Sequence, residues 1–504
     1  MSYIIKGITL ILIILVISCK TKAQQNSKKP NLLFLFTDDQ RGGTIGAMGR
    51  DHVKTPNMDK LVHKGTSFTN SYILGAPTAA VCSPRRAMLM TGRIFFNIEP
   101  NVYAQSSFPK ELQGKSNLLT FPEYFKANGY TTFATGKQHN GNVWLERGFN
   151  HIKSAFLGGM DVHFGTKLND YEPETGWSET YQIREKFSSE VFADAAVDFL
   201  KDYKDENPFL MYVAFTAPHD PRTAPQEFQD MYPVEAIELP INFMPQHPFE
   251  IADDKIRDEV LVSKPRTKIA IKKEISDYYA MISATDAQIG RVLEALEVSG
   301  QTENTIIVFA GDNGLALGQH GLLGKQNVYE HSISVPLIFC GPNIPQNQKR
   351  DALVYLHDIF PTLCGLTELE VPQSIDTKNL TPVIKGKERE VRESMLFAYH
   401  SWPGDLLKEN LDHNPEGGHR AVRKNNFKLI VSSKNDVYTY QLFNLESDPW
   451  ELDNLIEEEA YIPLGESLKL ELEELMKSYG DPANLNKKEF GLYDNLEAYN
   501  FKEK

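Results

Sequence analysis

The chain has 504 residues, 41% of them hydrophobic and 24% charged, a composition that suits two or three folded domains around a large core. It excludes a disulfide-stapled miniprotein, a mostly disordered chain and a polytopic membrane protein. Lys+Arg 53 against Asp+Glu 67 leaves a net charge of −14 with no long basic run, so no nucleic-acid partner is expected.

Residues 1–18 carry Lys6 and then the uncharged run Ile8 to Ile17, too short to span a bilayer but suited to a signal peptide. Val16-Ile17-Ser18-Cys19 resembles the lipobox of bacterial lipoproteins, in which the cysteine is acylated and becomes the new N-terminus. The alternative is ordinary cleavage after Ala23, with Thr21 and Ala23 at the small-residue positions, and either route exports the chain. By that resemblance, with Lys20 after Cys19, the expected location is the periplasm of a Gram-negative bacterium, held by a lipid anchor in the outer membrane. Residues 19–30 are polar and lysine-rich and read as a tether.

After Pro30 come four short, nearly continuous apolar runs: Leu32 to Phe36, Tyr130 to Ala134, Phe209 to Phe215 and Thr305 to Ala310. Such runs are the mark of strands buried on both faces. Helical spacing lies between them, at Phe121-Tyr124-Phe125 and along Ile271-Ile275-Tyr278-Ile282-Ile289-Leu293-Leu296. Alternation of this kind predicts an α/β fold with a large, mostly parallel sheet flanked by helices, over residues 31–385. From 386 to 504 the texture changes to Met395 to Tyr399, His419 to Arg423, Phe427 to Val431 and Tyr438 to Leu445, joined by short turns. This predicts a smaller C-terminal antiparallel sheet, followed by a packing helix over Ser467 to Ser478. Cys340 and Cys364 sit in apolar segments and are expected to be buried and inert.

Polar clusters stand at the ends of the buried runs: Thr37-Asp38-Asp39-Gln40, Gly136-Lys137-Gln138-His139, Ala217-Pro218-His219-Asp220 and Gly311-Asp312-Asn313-Gly314. Taken alone, each is as well explained as a turn. In open α/β sheets, however, ligands collect beyond the carboxyl ends of the strands, so the four can converge. Asp38, Asp39, Asp312 and Asn313 make a hard oxygen set that suits Ca²⁺ or Mg²⁺ better than zinc. Cys82 opens Cys82-Ser83-Pro84-Arg85-Arg86, where nearby cations could activate a thiol; a partly buried cysteine at a helix start is the plainer alternative.

The pentapeptide Cys82 to Arg86, with Thr91-Gly92-Arg93 after it, resembles the signature of type I sulfatases, members of the alkaline phosphatase-like superfamily, and more closely the exported bacterial carbohydrate sulfatases. The resemblance runs through Thr55-Pro56-Asn57-Met58-Asp59, His320-Gly321, Gly324-Lys325, Tyr329-Glu330 and Lys428-Leu429 to Asp448-Pro449. It departs from the pattern at Arg85, where a small Ser or Ala is usual, and at Gln138, where Trp is common. The resemblance implies that Cys82 is converted by a maturation enzyme to 3-oxoalanine (Cα-formylglycine), whose hydrate attacks sulfur and then collapses to release sulfate. It further implies Asp38, Asp39, Asp312, Asn313 and position 82 as Ca²⁺ ligands, and Arg86 and Lys137 as clamps on the formylglycine. His139 would assist collapse, while His219 and Lys325 would face the sulfate, His219 as proton donor to the leaving alcohol. His320 is expected only to shape its loop, and Asp286 and Glu330 to be structural.

The expected activity is thus removal of sulfate from a sulfated carbohydrate, a polysaccharide or its oligosaccharides, with specificity from loops and from Trp177, Tyr181, Arg184, His400, His413, His419 and Arg420 if these surface positions meet sugar. The rival readings are a phosphodiesterase or phosphonate monoester hydrolase of the same superfamily, an inactive sulfated-glycan-binding lipoprotein, and a thiol hydrolase using Cys82 with His139 or His219.

Overall fold

The computed structural model describes residues 29–49, 52–252, 255–403 and 417–494. The expected signal peptide, Cys19, residues 19–28 of the expected tether and His413 lie outside the described residues. Among the described residues no helix is long and apolar enough to cross a membrane.

Strand β1 (Asn31–Thr37) is buried along its whole length. Because strand side chains alternate, Leu32, Phe34 and Phe36 enter one apolar core while Leu33 and Leu35 enter another on the opposite face. Further along the chain come helix α1 (Pro56–Lys64), β2 (Gly65–Phe68), β3 (Gly75–Ala76), helix α2 (Cys82–Thr91) and β4 (Thr131–Lys137). They are followed by β5 (His151–Phe156), β6 (Lys167–Glu172), helix α3 (Ser188–Asp202), β7 (Phe209–Ala214), helix α4 (Lys268–Val298), β8 (Thr305–Gly311) and β9 (Leu337–Cys340). The large sheet runs β2-β9-β8-β1-β7-β4-β5-β6, with short strands extending both edges. Its centre is parallel: β1 lies between β8 and β7, and β4 and β5 follow in the same direction, whereas β9 and β6 run antiparallel. Strand β7 repeats the two-faced burial, with Leu210 and Tyr212 in the first core and Met211 and Val213 in the second, as β8 does with Ile306 and Val308 against Ile307 and Phe309. Each such side chain contributes about 1.5–3 kcal/mol relative to exposure, and this places the centre of stability directly under the strand ends.

Helices α3 and α4 cover one face of the sheet. The Thr267 side chain accepts from Ala270 N to start α4, and midway along it Asp286 accepts from Asn57 N at 3.1 Å and Met58 N at 2.7 Å. The Asp286 carboxylate therefore caps α1, whose own Thr55 makes no cap bond.

Strands β10 (Ser394–His400), β11 (Gly418–Lys424), β12 (Phe427–Lys434) and β13 (Val437–Asn444) form the antiparallel C-terminal sheet, covered by helix α5 (Ile462–Tyr479). Its fifth strand is β3, parallel to β10 with Gly75 opposite Ala398. A Cβ at Gly75 would stand 1.9 Å from Ala398 O, so only glycine admits this pairing, and the segment leading into Cys82 is gripped by the C-terminal sheet. The two sheets are also joined by Lys428, fully buried, which bonds Glu330 at 3.0 Å and Glu451 at 2.8 Å. Burial and the neighbouring Glu330 push the Glu451 carboxyl up to about 7 despite Lys428.

Candidate active site

The parallel register sets the site. Phe36 pairs with Ala310 and Thr37 with Gly311, so the next residues of each strand, Asp38-Asp39 and Asp312-Asn313, leave the sheet side by side. Asp312 N donates to Thr37 O at 3.0 Å, and Asp39 N to Asp312 Oδ1 at 2.9 Å. Asp39 holds a φ of +66°, a left-handed conformation fixed by Tyr278 OH, which donates to Asp39 O at 2.7 Å.

Strand β4 delivers the next group. At Gly136 its pairing with β5 shifts register, and a Cβ there would stand 1.8 Å from Ala214 O. Lys137 bonds Asp38 Oδ2, and two residues on, His139 (φ +69°) points its ring toward Gly159, where a Cβ would fall 2.7 Å from His139 Nε2. His139 Nδ1 is buried without a partner, and burial with Lys137 and Arg86 nearby holds its pKa well below the ordinary imidazole value.

Helix α2 begins at Cys82, so the residue lies at the positive end of a helix dipole. Cys82 is 3% exposed, with Sγ 3.4 Å from Lys325 Nζ, 3.6 Å from Asp39 Oδ1 and 3.5 Å from Asn313 Oδ1. Burial raises its thiol pKa well above the ordinary value, with Asp38 adding to the rise and Lys325 opposing it. A thiol held protonated in this way is a poor nucleophile at neutral pH, which weighs against the thiol-hydrolase reading. One turn on, Arg86 donates from Nε to Asp312 Oδ2 at 3.2 Å and from Nη1 to Lys137 O at 3.1 Å. In the structure Arg86 and Lys137 thus bond the carboxylates Asp312 and Asp38, while the cation touching Cys82 is Lys325. Lys325 also bonds both oxygens of Asp39 at 2.7 Å. Burial alone would raise Asp39, but Lys325 and His219 hold its carboxyl far below the usual range; Asp39 in turn holds Lys325 up against its own burial.

His219 Nδ1 lies 2.7 Å from Asp220 O, which accepts only if Nδ1 carries the proton. Nε2, 3.7 Å from Asp39 Oδ2, is then the titrating atom that faces the cluster. Burial and Lys325 lower His219 to about 4. Behind it, Arg257 pairs with Asp220, and His163 Nε2 meets His219 O at 2.8 Å. Of this brace, Asp220 closes the Ala217-Pro218-His219-Asp220 cluster, whereas Arg257 and His163 have no short sequence motif to announce them. Arg85, noted in the sequence only as a departure, is 1% exposed, and its Nε and Nη1 have no hydrogen-bond partner. Burial lowers it only to about 10, so it stays charged at neutral pH.

The donor set suits a hard divalent cation. One ligand atom each from Asp38, Asp39, Cys82 and Asp312 lies within 4.8 Å of the others, and Asp38 Oδ1 is buried with no hydrogen-bond partner. Burial and Asp312 raise Asp38 to about 8 against Lys137 and Arg86, and a cation bound at its free oxygen would offset both causes. Asn313 joins them, donating from Nδ2 to Asp39 Oδ1 at 2.5 Å. All ten candidate positions named in the sequence as ligands or catalytic groups fall into this region except that His139 stands off the carboxylates.

Other expectations land elsewhere. His320 is buried away from the cluster with Nε2 3.0 Å from Glu451 O. His400, His419 and Arg420 are buried rather than surface residues, and Arg420 bonds Asp481 through Nε at 2.5 Å and Nη2 at 2.8 Å. Arg420 and His400 are closed to a sugar beneath the segment after α5, where Asp481 and Phe490 meet Arg420, and His419, on the opposite face, is closed against Tyr399 and Ser432. Trp177 and Tyr181 remain accessible beyond the sheet edge.

A family profile described as Sulfatase matches residues 30–369, and one described as N-sulphoglucosamine sulphohydrolase, C-terminal, matches residues 318–478. The chain is 28% identical over 496 residues to the ulvan-active sulfatase of Formosa agariphila, covering 95% of this chain and 88% of that protein. The fold superimposes on the structure of BT4656 in complex with its substrate D-glucosamine-2-N,6-O-disulfate with a TM-score of 0.74 at 23% identity, covering 92% of this chain and 100% of that one. It also resembles the phosphonate monoester hydrolase of Agrobacterium radiobacter, with a TM-score of 0.68 at 21% identity over 89% of this chain and 96% of that one.

Proposed function

Since the chain belongs to the sulfatase family and is a sulfatase, we propose that its substrate is a sulfated carbohydrate, a polysaccharide or its oligosaccharides, cleaved to free alcohol and sulfate with uptake of one water. The observation that carries this is Cys82 at the start of α2, its Sγ 3.6 Å from Asp39 and 3.4 Å from Lys325 beside a cluster of buried carboxylates. The named activity of the Formosa relative, on ulvan, supports a glycan over a small aryl ester.

Asp38, Asp39, Asp312 and Asn313 would hold Ca²⁺, which when bound supplies positive charge for the sulfate oxygens. Conversion of Cys82 to 3-oxoalanine by a maturation enzyme would supply, as the hydrate, an oxygen nucleophile in place of the thiol. The remaining roles belong to the chain's own side chains. Arg86 keeps Asp312 placed and ionised, and Lys137 keeps Asp38 placed. Lys325, between Asp39 and position 82, neutralises charge on the sulfate from a buried position where its charge is little screened. His219 takes up a proton at Nε2, favoured once an anion is bound nearby, and passes it to the leaving alcohol while Asp220 and Arg257 hold the ring. His139, neutral through burial, accepts a proton as sulfate is released. Export and a lipid anchor at the outer membrane, read from residues 1–19, fit an enzyme that meets polymers at the cell envelope.

The test measures sulfate release from defined sulfated oligosaccharides, 4-nitrophenyl sulfate and bis(4-nitrophenyl) phosphate. The sulfated sugars should be turned over with the highest kcat/KM; faster turnover of the phosphodiester would establish the rival hydrolase reading instead.

A further inference from the structure

Arg85 occupies a position where the sulfatase signature usually carries a small side chain. It lies one turn beyond Cys82 on α2, so the side chains at 82 and 85 leave the same face of the helix. Its neighbour Arg86 is committed to Asp312 and to Lys137 O. Arg85 has no such commitment: Nε and Nη1 are buried and unbonded, and among the described residues no carboxylate pairs with it. The charged or titratable groups whose fields reach it are Cys82, Asp312, Asp39 and Tyr399, which places it between the catalytic cluster and the end of β10 in the C-terminal sheet.

A buried guanidinium with unanswered donors destabilises the free protein, and an anion that accepts from them answers both the donors and the charge. The charge count of the site points the same way. Arg85, Arg86, Lys137 and Lys325 face the three carboxylates of Asp38, Asp39 and Asp312, all of them buried. A divalent cation adds two positive charges, and a sulfate monoester brings only one negative charge, so the site retains an excess that a second anion would answer.

We propose that Arg85 is a specificity-determining residue that binds a second anionic group of the substrate, a carboxylate or a further sulfate on the sulfated sugar or its neighbour, and makes the enzyme selective for dianionic saccharides. This rests on the sulfated-carbohydrate reading above. An unanswered buried donor rejects analogues lacking its partner far more sharply than an apolar pocket rejects a missing methylene, so the discrimination is large.

The experiment compares matched pairs: N-acetylglucosamine 6-O-sulfate with glucosamine 2-N,6-O-disulfate, and a neutral sulfated disaccharide with its uronate-bearing counterpart. Each is measured for kcat/KM and as a competitor of 4-nitrophenyl sulfate hydrolysis, in wild type, Arg85→Ser and Arg85→Lys. The aldehyde content at position 82, read by peptide mass, normalises every rate. Wild type should favour the dianion in at least one pair, and which pair responds identifies the second anion as sulfate or carboxylate. Arg85→Ser should lower kcat/KM or raise the inhibition constant for that dianion between about ten- and a hundredfold more than for its monoanionic partner, the span of a charge-assisted hydrogen bond. Arg85→Lys should retain part of the preference, since it keeps the charge and loses the fork. Arg85→Ser should melt no lower than wild type. The assignment is overturned if wild type favours no dianion, if Arg85→Ser loses equally on both members of each pair, or if its only effect is on aldehyde content. If wild type hydrolyses 4-nitrophenyl sulfate yet neither cleaves nor binds any of the sugars, it is the carbohydrate reading itself that fails.

Discussion

With no ion bound, the Asp38 carboxyl is raised to about 8 by burial and by Asp312, whereas in the unfolded chain it titrates near 3.9. Between those values the folded protein holds a proton that the unfolded chain has lost. Stability from this group is therefore present at low pH and is lost as pH rises toward 8, by about 1.4 kcal/mol per pH unit. The buried histidines act in the opposite sense, but only at lower pH. His163, His219, His320 and His357 lie near 4 when folded, so they favour the folded state as pH rises, an effect that fades over about one unit above 6.5. In the window from pH 6.5 to 8 the carboxyls that titrate are Asp38 and Glu451, near 7, over the fading histidine share, which a variant at Asp38 leaves in place. In chelator, raising the pH across this window should lower stability by about 2 kcal/mol through Asp38 alone. Asp38→Asn, which cannot titrate, should remove that share and leave the Glu451 share, so the difference between the two proteins carries the measurement. Calcium at a thousandfold excess over its dissociation constant should add about 4 kcal/mol to wild type and flatten its slope, because the cation takes the place of the proton. Urea midpoints or calorimetric melting temperatures at half-unit pH steps, with chelator and with Ca²⁺, provide the readout. Parallel pH profiles for wild type and Asp38→Asn in chelator, or a melting temperature indifferent to Ca²⁺, would refute the assignment of Asp38 as an ion ligand.

Three further outcomes are expected. Cys82→Ala should reduce sulfatase activity by at least about a hundredfold, and activity of wild-type preparations should rise in proportion to the aldehyde fraction at position 82 measured by mass spectrometry. His219→Ala should lose more on sugar sulfates than on 4-nitrophenyl sulfate, steepening the dependence of kcat/KM on leaving-group pKa, whereas Lys137→Ala should lose on all substrates with an unchanged slope; an unaltered slope in His219→Ala would pass the acid role to Lys325 or His139. Lys428→Met, which leaves Glu330 and Glu451 buried without their cation, should cost about 3–5 kcal/mol in denaturant unfolding, and a loss below about 1 kcal/mol would mean that water reaches the pair.

The central strands were legible because the parallel sheet buries both of their faces, which writes an unbroken apolar run such as Leu32 to Phe36 into the sequence, and because a run that ends in Asp38-Asp39 must leave the sheet there. Convergence of the four polar clusters then followed from strand direction. The two-residue strand at Gly75–Ala76 was not legible, since its pairing with β10 depends on a missing Cβ rather than on any periodicity. Nor were the partners of the cations: Lys325, Arg86 and Lys137 were recognisable as site residues, yet which carboxylate each one grips is decided by rotamers and loop approach across hundreds of residues. His419 and Arg420 misled for a related reason. A polar pair in an antiparallel strand reads as solvent-facing, and only the Asp481 carboxylate, brought in beyond α5, reveals that Arg420 is buried.

The closing of the chain around Cys82 also imposes an order in time. Lys325, Asn313 and the C-terminal sheet that grips Gly75 are all made long after residue 82 leaves the ribosome, and once they arrive Cys82 is left nearly buried among them, open to a small ester group but not to the active site of another protein. If Cys82 is oxidised by an enzyme, as proposed above, that enzyme must meet it on a nascent or unfolded chain, and protein that folds first with the thiol intact should stay refractory to it until it is unfolded again.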